Sequence, residues 1–455
     1  MTEPGPPPVR SEPANPAMLH PEAAEPSTGT SQSLRVTLWV LLIVYIFNFI
    51  DRQIVNILAE PISKELGLTD TQIGLMTGLA FALFYTVLGL PIARFADRPS
   101  TNRVGLISAA LAIWSAMTVL CGFAQNFTQL LLARIGVGVG EAGCTPAAHS
   151  LIADKAPPAK RASAMAFYAM GIPIGGLLGM VIGGLLADQV GWRMAFVWVG
   201  APGILLALAV LFILKDPRRH DVITRANTPE QPGAALQSRL STSEALAQIF
   251  RSRALVLLLV AGALSAFLSY GKTTWQVIFF QRTHELSPGE TGLWLGLSAG
   301  LAAILGTWLG GWLADKHGKD DRRHVLTAPA IGMLLAAPIL FAGYVVSHWY
   351  ASLALLAAAT LLNSLYYGPL YSSVQGLVQP QARAMASAVL LFAQNLIGLG
   401  LGPLFFGMLS DYFKPMAGDE SVRWVLFAAA WLGVVPAFFF WRASLRLNDE
   451  LDRKG

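Results

Sequence analysis

The sequence predicts an all-α membrane protein: twelve transmembrane helices in two six-helix bundles related by a pseudo-two-fold axis, each bundle an inverted three-helix repeat. Three observations support this prediction. Hydrophobic residues make up 54% of the 455 residues and charged residues only 13%, whereas soluble chains are about one-quarter charged. Apolar stretches long enough to cross about 30 Å of hydrocarbon recur along the chain. A charged sequence block is also repeated in the two halves.

Each predicted span begins where such an apolar stretch follows a polar segment. The twelve starts lie near Val36, Thr71, Val104, Thr128, Ala162, Met194, Ala254, Glu290, Val325, Tyr350, Met385 and Val422. The segment before the first span is rich in Pro and Glu, and without an apolar core it cannot offset the entropy lost on ordering. The predicted domains are a disordered cytoplasmic tail (1–34), a first bundle (35–214), a cytoplasmic linker (215–253), a second bundle (254–442) and a cytoplasmic tail (443–455).

The polar linker divides six spans from six. Within it, Ser241 and Glu244 have capping-box spacing, and Leu246, Ile249 and Phe250 follow on one helical face. We therefore expect a short amphipathic helix near the end of the linker. A simple tether between the two bundles is the alternative interpretation.

The chain carries an internal duplication. The block from Ala93 to Arg98 returns as the block from Gly311 to Lys316, and at the same offset Thr69 aligns with Ser287 as a helix-capping residue. A duplicated membrane protein whose halves meet around a central site is typical of a secondary transporter.

Carboxylates mark the smaller repeat inside each half. Asp188 and Asp411 end spans 5 and 11, as Asp97 and Asp315 end spans 2 and 8. Spans 2 and 8 end on the inner side and spans 5 and 11 on the outer side, so the three-helix units within a half have inverted topology.

The distribution of basic residues predicts the orientation. Most of the 32 Lys and Arg residues fall in segments on the same side as the linker, which fits the positive-inside rule with both termini cytoplasmic. The short outer loops suit a bacterial inner membrane. The excess of basic over acidic residues therefore reflects membrane topology, and no nucleic-acid partner is expected.

Five charged residues lie well inside predicted spans: Asp51, Arg52, Arg134, Glu141 and Lys272. Each unpaired charge would cost about 3 kcal/mol on insertion scales, so they must pair or line a wet cavity. Depth along the helices puts Asp51 level with Arg134 and predicts an ion pair between them, with Glu141 about 10 Å deeper. A buried carboxyl can bind and release a proton, which makes Glu141 the first proton-coupling candidate and Asp51 the second. A purely structural lock between spans 1 and 4 is the alternative.

Substrate contacts are predicted in both halves. Arg52, Arg134 and Lys272 could receive an anionic group, although Arg52 and Lys272 could instead face lipid. The second half has a polar but uncharged interior, in which Tyr367, Gln394 and Asn395 are the candidate contacts. His149, near the inner rim, could extend a proton path or be an ordinary rim histidine.

Two short motifs match enzyme signatures, but their structural context does not fit that of an enzyme. Gly138–Gly143 matches a dinucleotide-binding fingerprint and Gly296–Gly300 a nucleophile elbow, but both lie inside long apolar helices rather than at strand-to-helix turns. No cluster of metal-ligand residues is visible in the sequence. We therefore expect a transporter rather than an enzyme, with no metal and no cofactor other than a proton gradient.

The repeated block resembles the loop signature of the major facilitator superfamily, although Ala93 replaces the usual leading glycine in the first copy. The stretches Asn48–Gln53, Leu66–Gly74 and Arg134–Pro146 resemble the spinster-like branch of sphingolipid and lysolipid transporters. This resemblance implies proton-linked transport through the residues at Asp51, Arg134 and Glu141.

The resemblance also implies a gate on the inner face. Its candidate residues are Asp97, Arg98, Arg103, Asp315 and Lys316. In the family, the Asp of the repeated block contacts neighbouring helices and steadies the outward-facing state.

The sequence thus predicts a monomeric, proton-coupled secondary transporter that works by alternating access in the lipid bilayer. Its expected substrate is an amphipathic anionic lipid, such as a lysophospholipid or sphingoid phosphate. A proton-linked symporter of small organic anions and a drug efflux antiporter are the alternatives. A channel is disfavoured because no ring of charges that could line a pore is evident.

Overall fold

A computed structural model describes residues 28–98, 100–218, 242–319 and 321–452, and these residues form helices joined by short loops. The helices that cross the bundle are α1 (Thr28–Leu66), α2 (Asp70–Ala96), α3 (Arg103–Phe123), α4 (Phe127–Glu141 and Cys144–Lys155), α5 (161–190), α6 (192–213), α7 (Arg253–Arg282), α8 (Pro288–His317), α9 (His324–Val345), α10 (Trp349–Gly376), α11 (383–417) and α12 (421–452).

Within the described ranges, nine continuous helical stretches are long and apolar enough to cross a membrane. Two of them, Pro158–Ile213 and Met385–Glu450, each contain two crossings, the first turning at Gly191, where φ is 78°. The helix α4, interrupted directly after Glu141, supplies the remaining crossing. The predicted architecture of twelve transmembrane helices in two bundles is confirmed.

Matching caps begin α2 and α8, as the internal duplication predicts. The Thr69 hydroxyl accepts from the Gln72 amide at 3.2 Å, while the Gln72 side chain accepts from the Thr69 amide at 3.0 Å. Ser287 and Glu290 repeat the same exchange at 3.1 and 3.0 Å. Each capping box satisfies N–H groups that the first helical turn leaves free.

Some termini differ from the predicted domain boundaries. Helix α1 begins at Thr28, before the predicted boundary at residue 35, and α12 continues to Asp452, beyond the predicted boundary at 442. The rest of the predicted N-terminal tail lies outside the described residues. In the linker, a helix spans Thr242–Arg251, with Ile249 buried against the second bundle and Phe250 62% exposed.

Glycines on α5 allow close contact with α1. A Cβ at Gly175 would meet the Ile46 carbonyl at 2.5 Å, and one at Gly179 would lie 3.0 Å from the Ile50 backbone. Small residues permit this approach of two membrane helices. The glycine row on α5 therefore serves tight packing inside the first bundle.

The bundle has two ends that differ in their contacts. The linker end carries the described loop residues 97–98, 100–102, 156–160, 214–218, 318–319 and 321–323, and the distal end carries the loops at 67–69, 124–126, 283–287 and 346–348. Polar contacts between the two halves gather at the distal end. There, the Arg282 guanidinium contacts Glu60 at 2.7 Å and Asp70 at 2.8 Å.

Two carboxylates at the distal end cap helices of the opposite half. Asp411 of α11 accepts from the Asp70 and Thr71 amides of α2 at 3.0 and 2.7 Å. Asp188 of α5 accepts from the Gly289 amide of α8 at 3.0 Å. A carboxylate at a helix N-terminus is stabilised by the free N–H groups and the helix dipole. These paired caps hold the halves together at the distal end.

Replacing Gly184 with alanine is expected to weaken this closure. A Cβ at Gly184 would overlap the Pro288 carbonyl of α8, whereas one at Gly176 on the same helix has nothing within 4 Å. Overpacking costs about 1–3 kcal/mol, which shifts a two-state equilibrium by about 5- to 150-fold. Thr273 lines a cavity between the two halves. With Cys121 and Cys144 replaced by serine, the cysteine of Thr273→Cys should react faster with an impermeant thiol reagent applied at the distal end.

Gly176→Ala is the matched control and should leave that labelling rate unchanged. Equal rates in Gly184→Ala and Gly176→Ala would show that the α5–α8 contact does not determine closure of the distal end.

Candidate functional site

A cavity of about 960 Å³ lies between the two halves. Its lining includes five of the six predicted substrate contacts: Arg52, Lys272, Tyr367, Gln394 and Asn395. Arg52 and Lys272 therefore point inward, and their alternative orientation toward lipid is wrong. The sixth, Arg134, is 1% exposed and lies behind the cavity wall.

The central interaction of the first half is an ion pair between Arg52 and Glu141. The Arg52 Nε atom donates to the Glu141 Oε2 atom at 2.6 Å, and the two side chains are 15% and 0% exposed. Glu141 is the last residue before the interruption of α4. Arg52 is thus the side chain that connects the cavity to a fully buried carboxylate.

The predicted ion pair between Asp51 and Arg134 is wrong for this conformation. The Asp51 Oδ1 atom and the Arg134 Nε and Nη1 atoms are buried without hydrogen-bond partners. The two residues remain close enough for their charges to interact. Arg52, the residue next to Asp51 on α1, instead forms the ion pair with Glu141.

Aromatic rings surround the two guanidinium groups. The Arg52 guanidinium lies 4.5 Å from the Tyr85 ring centroid, 4.9 Å from Phe49 and 5.0 Å from Phe81. The Arg134 guanidinium lies 5.5 Å from the same Phe81 ring. Both cations therefore lie near the Phe81 ring, and ring faces offer them partial compensation without fixing them in one hydrogen-bonding geometry.

Several polar atoms beside the Arg52–Glu141 pair lack partners. They include both side-chain atoms of Asn48, the Arg52 Nη2 atom and the Glu141 Oε1 atom. Buried polar groups are normally hydrogen-bonded. The two carboxylates of Asp51 and Glu141 thus share one buried cluster with two guanidiniums. The unpaired donors and acceptors in this cluster would allow its ion pairs and hydrogen bonds to rearrange.

The second half contributes a cation and a group of tyrosines to the cavity. No carboxylate in the described ranges forms an ion pair with the Lys272 ammonium, which also lines the cavity. The Tyr371 hydroxyl donates to the Gln394 Oε1 atom at 2.7 Å, and the Tyr366 and Tyr367 rings stack at 4.3 Å. Gln394 begins a π-helical segment of α11, Gln394–Leu401, and such segments are frequent at functional sites.

Four of the predicted gating residues are exposed at the linker end: Asp97, Arg98, Asp315 and Lys316. The Arg98 guanidinium lies over the Phe95 ring at 5.7 Å, and the Lys316 ammonium lies over the Trp312 ring at 4.7 Å. Their role in the gate stays a prediction.

Arg103 differs from the other gating candidates because it is completely buried. It donates to Asp216 at 2.5 Å and to Asp154 at 2.7 Å, which ties the start of α3 to the ends of α4 and α6. Burial raises the pKa of Asp216, but its hydrogen bonds from Arg103 outweigh this and lower the pKa below its ordinary value. In this conformation Arg103 is a structural anchor within the first half.

Arg103→Ala is expected to destabilise the protein. Removing one partner of a buried ion pair costs about 3–5 kcal/mol, because the other charge stays buried without compensation. The thermal unfolding temperature in detergent should fall clearly, whereas the exposed Arg98→Ala should leave it nearly unchanged. Equal unfolding temperatures for the two variants would contradict the anchoring role.

Sequence reasoning missed other parts of the site. Phe81 and Asn48 were not singled out, although Asn48 precedes Arg52 by about one helical turn. The distal contact of Arg282 with Glu60 and Asp70 was missed as well. The only sequence signal for this contact was the presence of charged residues near helix ends, and such residues are equally typical of solvated loops.

Comparison with known proteins agrees with this architecture. The family model of the Major Facilitator Superfamily matches residues 41–403 and, in a second match, residues 273–454. An MFS-type efflux pump of Mycolicibacterium smegmatis is 34% identical over 413 residues, which are 90% of this chain and 93% of the pump. Protein spinster homolog 1 of Xenopus laevis is 24% identical over 450 residues, 94% of this chain and 83% of that protein.

A solved structure is also similar. It is a bacterial homologue of the human lysosomal transporter Spinster in an inward-facing, unoccupied conformation, with a TM-score of 0.83 and 32% identity. The match covers 94% of this chain and 99% of that one. The chain therefore belongs to the Major Facilitator Superfamily and is a spinster-like membrane transporter rather than an enzyme.

Proposed function

We propose that the protein is a proton-coupled transporter that works by alternating access and moves an amphipathic anionic lipid. The observation that carries this proposal is the shared position of Arg52, which lines the cavity and pairs with the buried Glu141 at 2.6 Å. An anionic substrate group and the Glu141 carboxylate compete for the same guanidinium.

This competition links substrate binding to protonation. When a substrate anion draws Arg52 toward the cavity, Glu141 loses its counter-ion. A buried carboxylate without a counter-ion becomes neutral by binding a proton rather than remaining charged. Substrate and proton then bind together, which corresponds to symport. Asp51, close to the charge of Arg134, is the second proton-binding candidate.

The composition of the cavity wall supports an amphipathic substrate. Arg52, Lys272 and the tyrosines provide a polar region suited to a phosphate or carboxylate, because guanidinium and ammonium groups bind such anions. The rest of the wall includes apolar residues: Ile172, Leu177, Met180, Leu295, Ile304 and Trp308. A headgroup beside the two cations and an acyl chain along the apolar wall would use both regions.

A second candidate is drug efflux by antiport, which the similarity to the mycobacterial efflux pump favours. In an antiporter, proton and substrate compete, so substrate binding releases a proton instead of capturing one. The sign of proton movement on substrate binding therefore separates the two mechanisms. Symport of a small organic anion would share the sign of the lipid proposal but not its substrate.

We further propose that a monomer lies in a bacterial inner membrane with the linker end in the cytoplasm. The basic residues Arg94, Arg98, Lys316 and Lys319 at the linker end favour this orientation. The contacts at the distal end then close the outer face, and the present conformation is inward-facing.

Transport by proteoliposomes tests this function. Lysophosphatidylglycerol, sphingosine phosphate and small organic acids are added separately, and internal pH is followed with a trapped dye. We expect a lipid to drive saturable proton entry. Proton entry with only the small acids would contradict the lipid substrate, and the absence of proton movement during measured lipid uptake would contradict proton coupling.

A further inference from the structure

A row of polar side chains continues along α4 from Glu141 toward the linker end. Thr145 follows Glu141 by four residues, and His149 follows Thr145 by four. The helix is interrupted at Ala142 and Gly143. Beyond the interruption, the four-residue spacing places Thr145 and His149 one above the other on the segment Cys144–Lys155. Glu141 is fully buried, whereas His149 is exposed, with about one and a half helical turns between it and the end of the helix at Lys155.

A buried tyrosine of α5 joins this row from the side. Tyr168 is 1% exposed, and its ring meets the His149 ring edge-on at 5.4 Å between centroids. The Tyr168 and Thr145 hydroxyls are both buried without a hydrogen-bond partner in this conformation, and the two side chains are close enough to interact. Hydroxyl groups can donate and accept together, so this pair can pass a proton in either direction.

The cavity offers Glu141 no comparable route once substrate is bound. Arg52 lies between the cavity and Glu141, and a substrate anion on Arg52 would fill the space on the cavity side. Thr145, Tyr168 and His149 are absent from the cavity wall. A proton that reaches Glu141 while substrate is bound therefore needs a path behind the cavity.

We propose that Thr145, Tyr168 and His149 form this path, so that protons pass between Glu141 and the solvent at the linker end without crossing the substrate site. The proposal rests on the proton coupling proposed above. Each side chain acts as a relay with both a donor and an acceptor position, and short gaps between them are within the reach of bridging water.

The groups around the path are compatible with proton transfer. His149 meets Tyr168 of α5, and Tyr45 of α1 stacks on the Tyr168 ring at 4.2 Å. At the buried end, Glu141 faces Arg52, Arg134 and Asn48. The path thus runs from a charged cluster to a rim histidine through uncharged hydroxyl groups.

Stopped-flow measurement of proton uptake in proteoliposomes tests the path, with lysophosphatidylglycerol as the probe. His149→Ala and Tyr168→Phe are each expected to slow the initial proton uptake by at least about tenfold, because a well-positioned proton-transfer group contributes more than this to a rate. Counterflow of radiolabelled lysophosphatidylglycerol, measured in the same vesicles, should stay near the wild-type rate. This result would show that the variants are folded. Added imidazole should restore proton uptake in His149→Ala but not in Tyr168→Phe.

His317→Ala is the matched control, since His317 is exposed at the linker end of the second half. It should leave proton uptake unchanged. Normal initial uptake in both His149→Ala and Tyr168→Phe would overturn the proposed path while leaving proton coupling intact. An absence of proton uptake by the wild-type protein would instead overturn the coupling on which the path depends.

Discussion

Glu141→Gln is expected to abolish substrate-driven proton movement while preserving substrate exchange. Glutamine has nearly the same shape as glutamate, and its side-chain oxygen can still accept from Arg52, but it cannot bind and release a proton. The charge on Arg52 therefore stays available to an anionic substrate. Proteoliposomes allow both quantities to be measured together, with a pH dye for proton movement and labelled lysophosphatidylglycerol for counterflow.

The exposed Glu285 provides the control, and Glu285→Gln should couple normally. Wild-type coupling in Glu141→Gln would show that Glu141 is structural. Asp51, the other carboxylate of the buried cluster, would then be the candidate for proton binding.

Arg52→Gln is expected to weaken substrate binding and to destabilise the protein. A hydrogen bond to a charged group contributes about 1.5–3 kcal/mol, so the affinity for an anionic probe should fall by about 10- to 150-fold. Glu141 would also lose its partner, and a buried charge without a partner costs about 3–5 kcal/mol. Binding of lysophosphatidylglycerol in detergent and the thermal unfolding temperature measure the two effects.

The double variant Arg52→Gln with Glu141→Gln separates these effects. It removes both buried charges, so the unfolding temperature should return toward the wild-type value while the affinity stays low. Arg94→Gln, an exposed substitution at the linker end, should change neither. A double variant that regains affinity would contradict the assignment of Arg52 as a substrate contact.

Most helix starts could be predicted closely because their causes are local, although α1 begins at Thr28, well before the predicted start near Val36. Apolar length fixes where a helix can cross a membrane, and capping residues mark where it begins. The predicted starts at Val104, Thr128, Ala254 and Val325 each lie one residue after the helix starts in the structure, which are Arg103, Phe127, Arg253 and His324. The duplicated caps at Thr69 and Ser287 were predictable for the same reason.

The pairing of the buried charges could not be predicted from depth alone. Position along a helix gives the height of Asp51 and Arg134 in the membrane but not the direction in which each side chain points. The pair that forms depends on the break in α4 after Glu141 and on the rings that surround the Arg52 guanidinium. The close contact between α5 and α8 at Gly184 likewise depends on how the two halves meet, which no single helix specifies.

Proton binding by purified protein tests the central role of Arg52 most directly. In weakly buffered detergent solution with a pH-sensitive dye, addition of lysophosphatidylglycerol to the wild-type protein should cause proton uptake, because the lipid draws Arg52 away from Glu141. Glu141→Gln should bind the lipid without proton uptake. Lipid binding with no proton uptake by the wild-type protein, or with equal uptake by Glu141→Gln, would contradict this account.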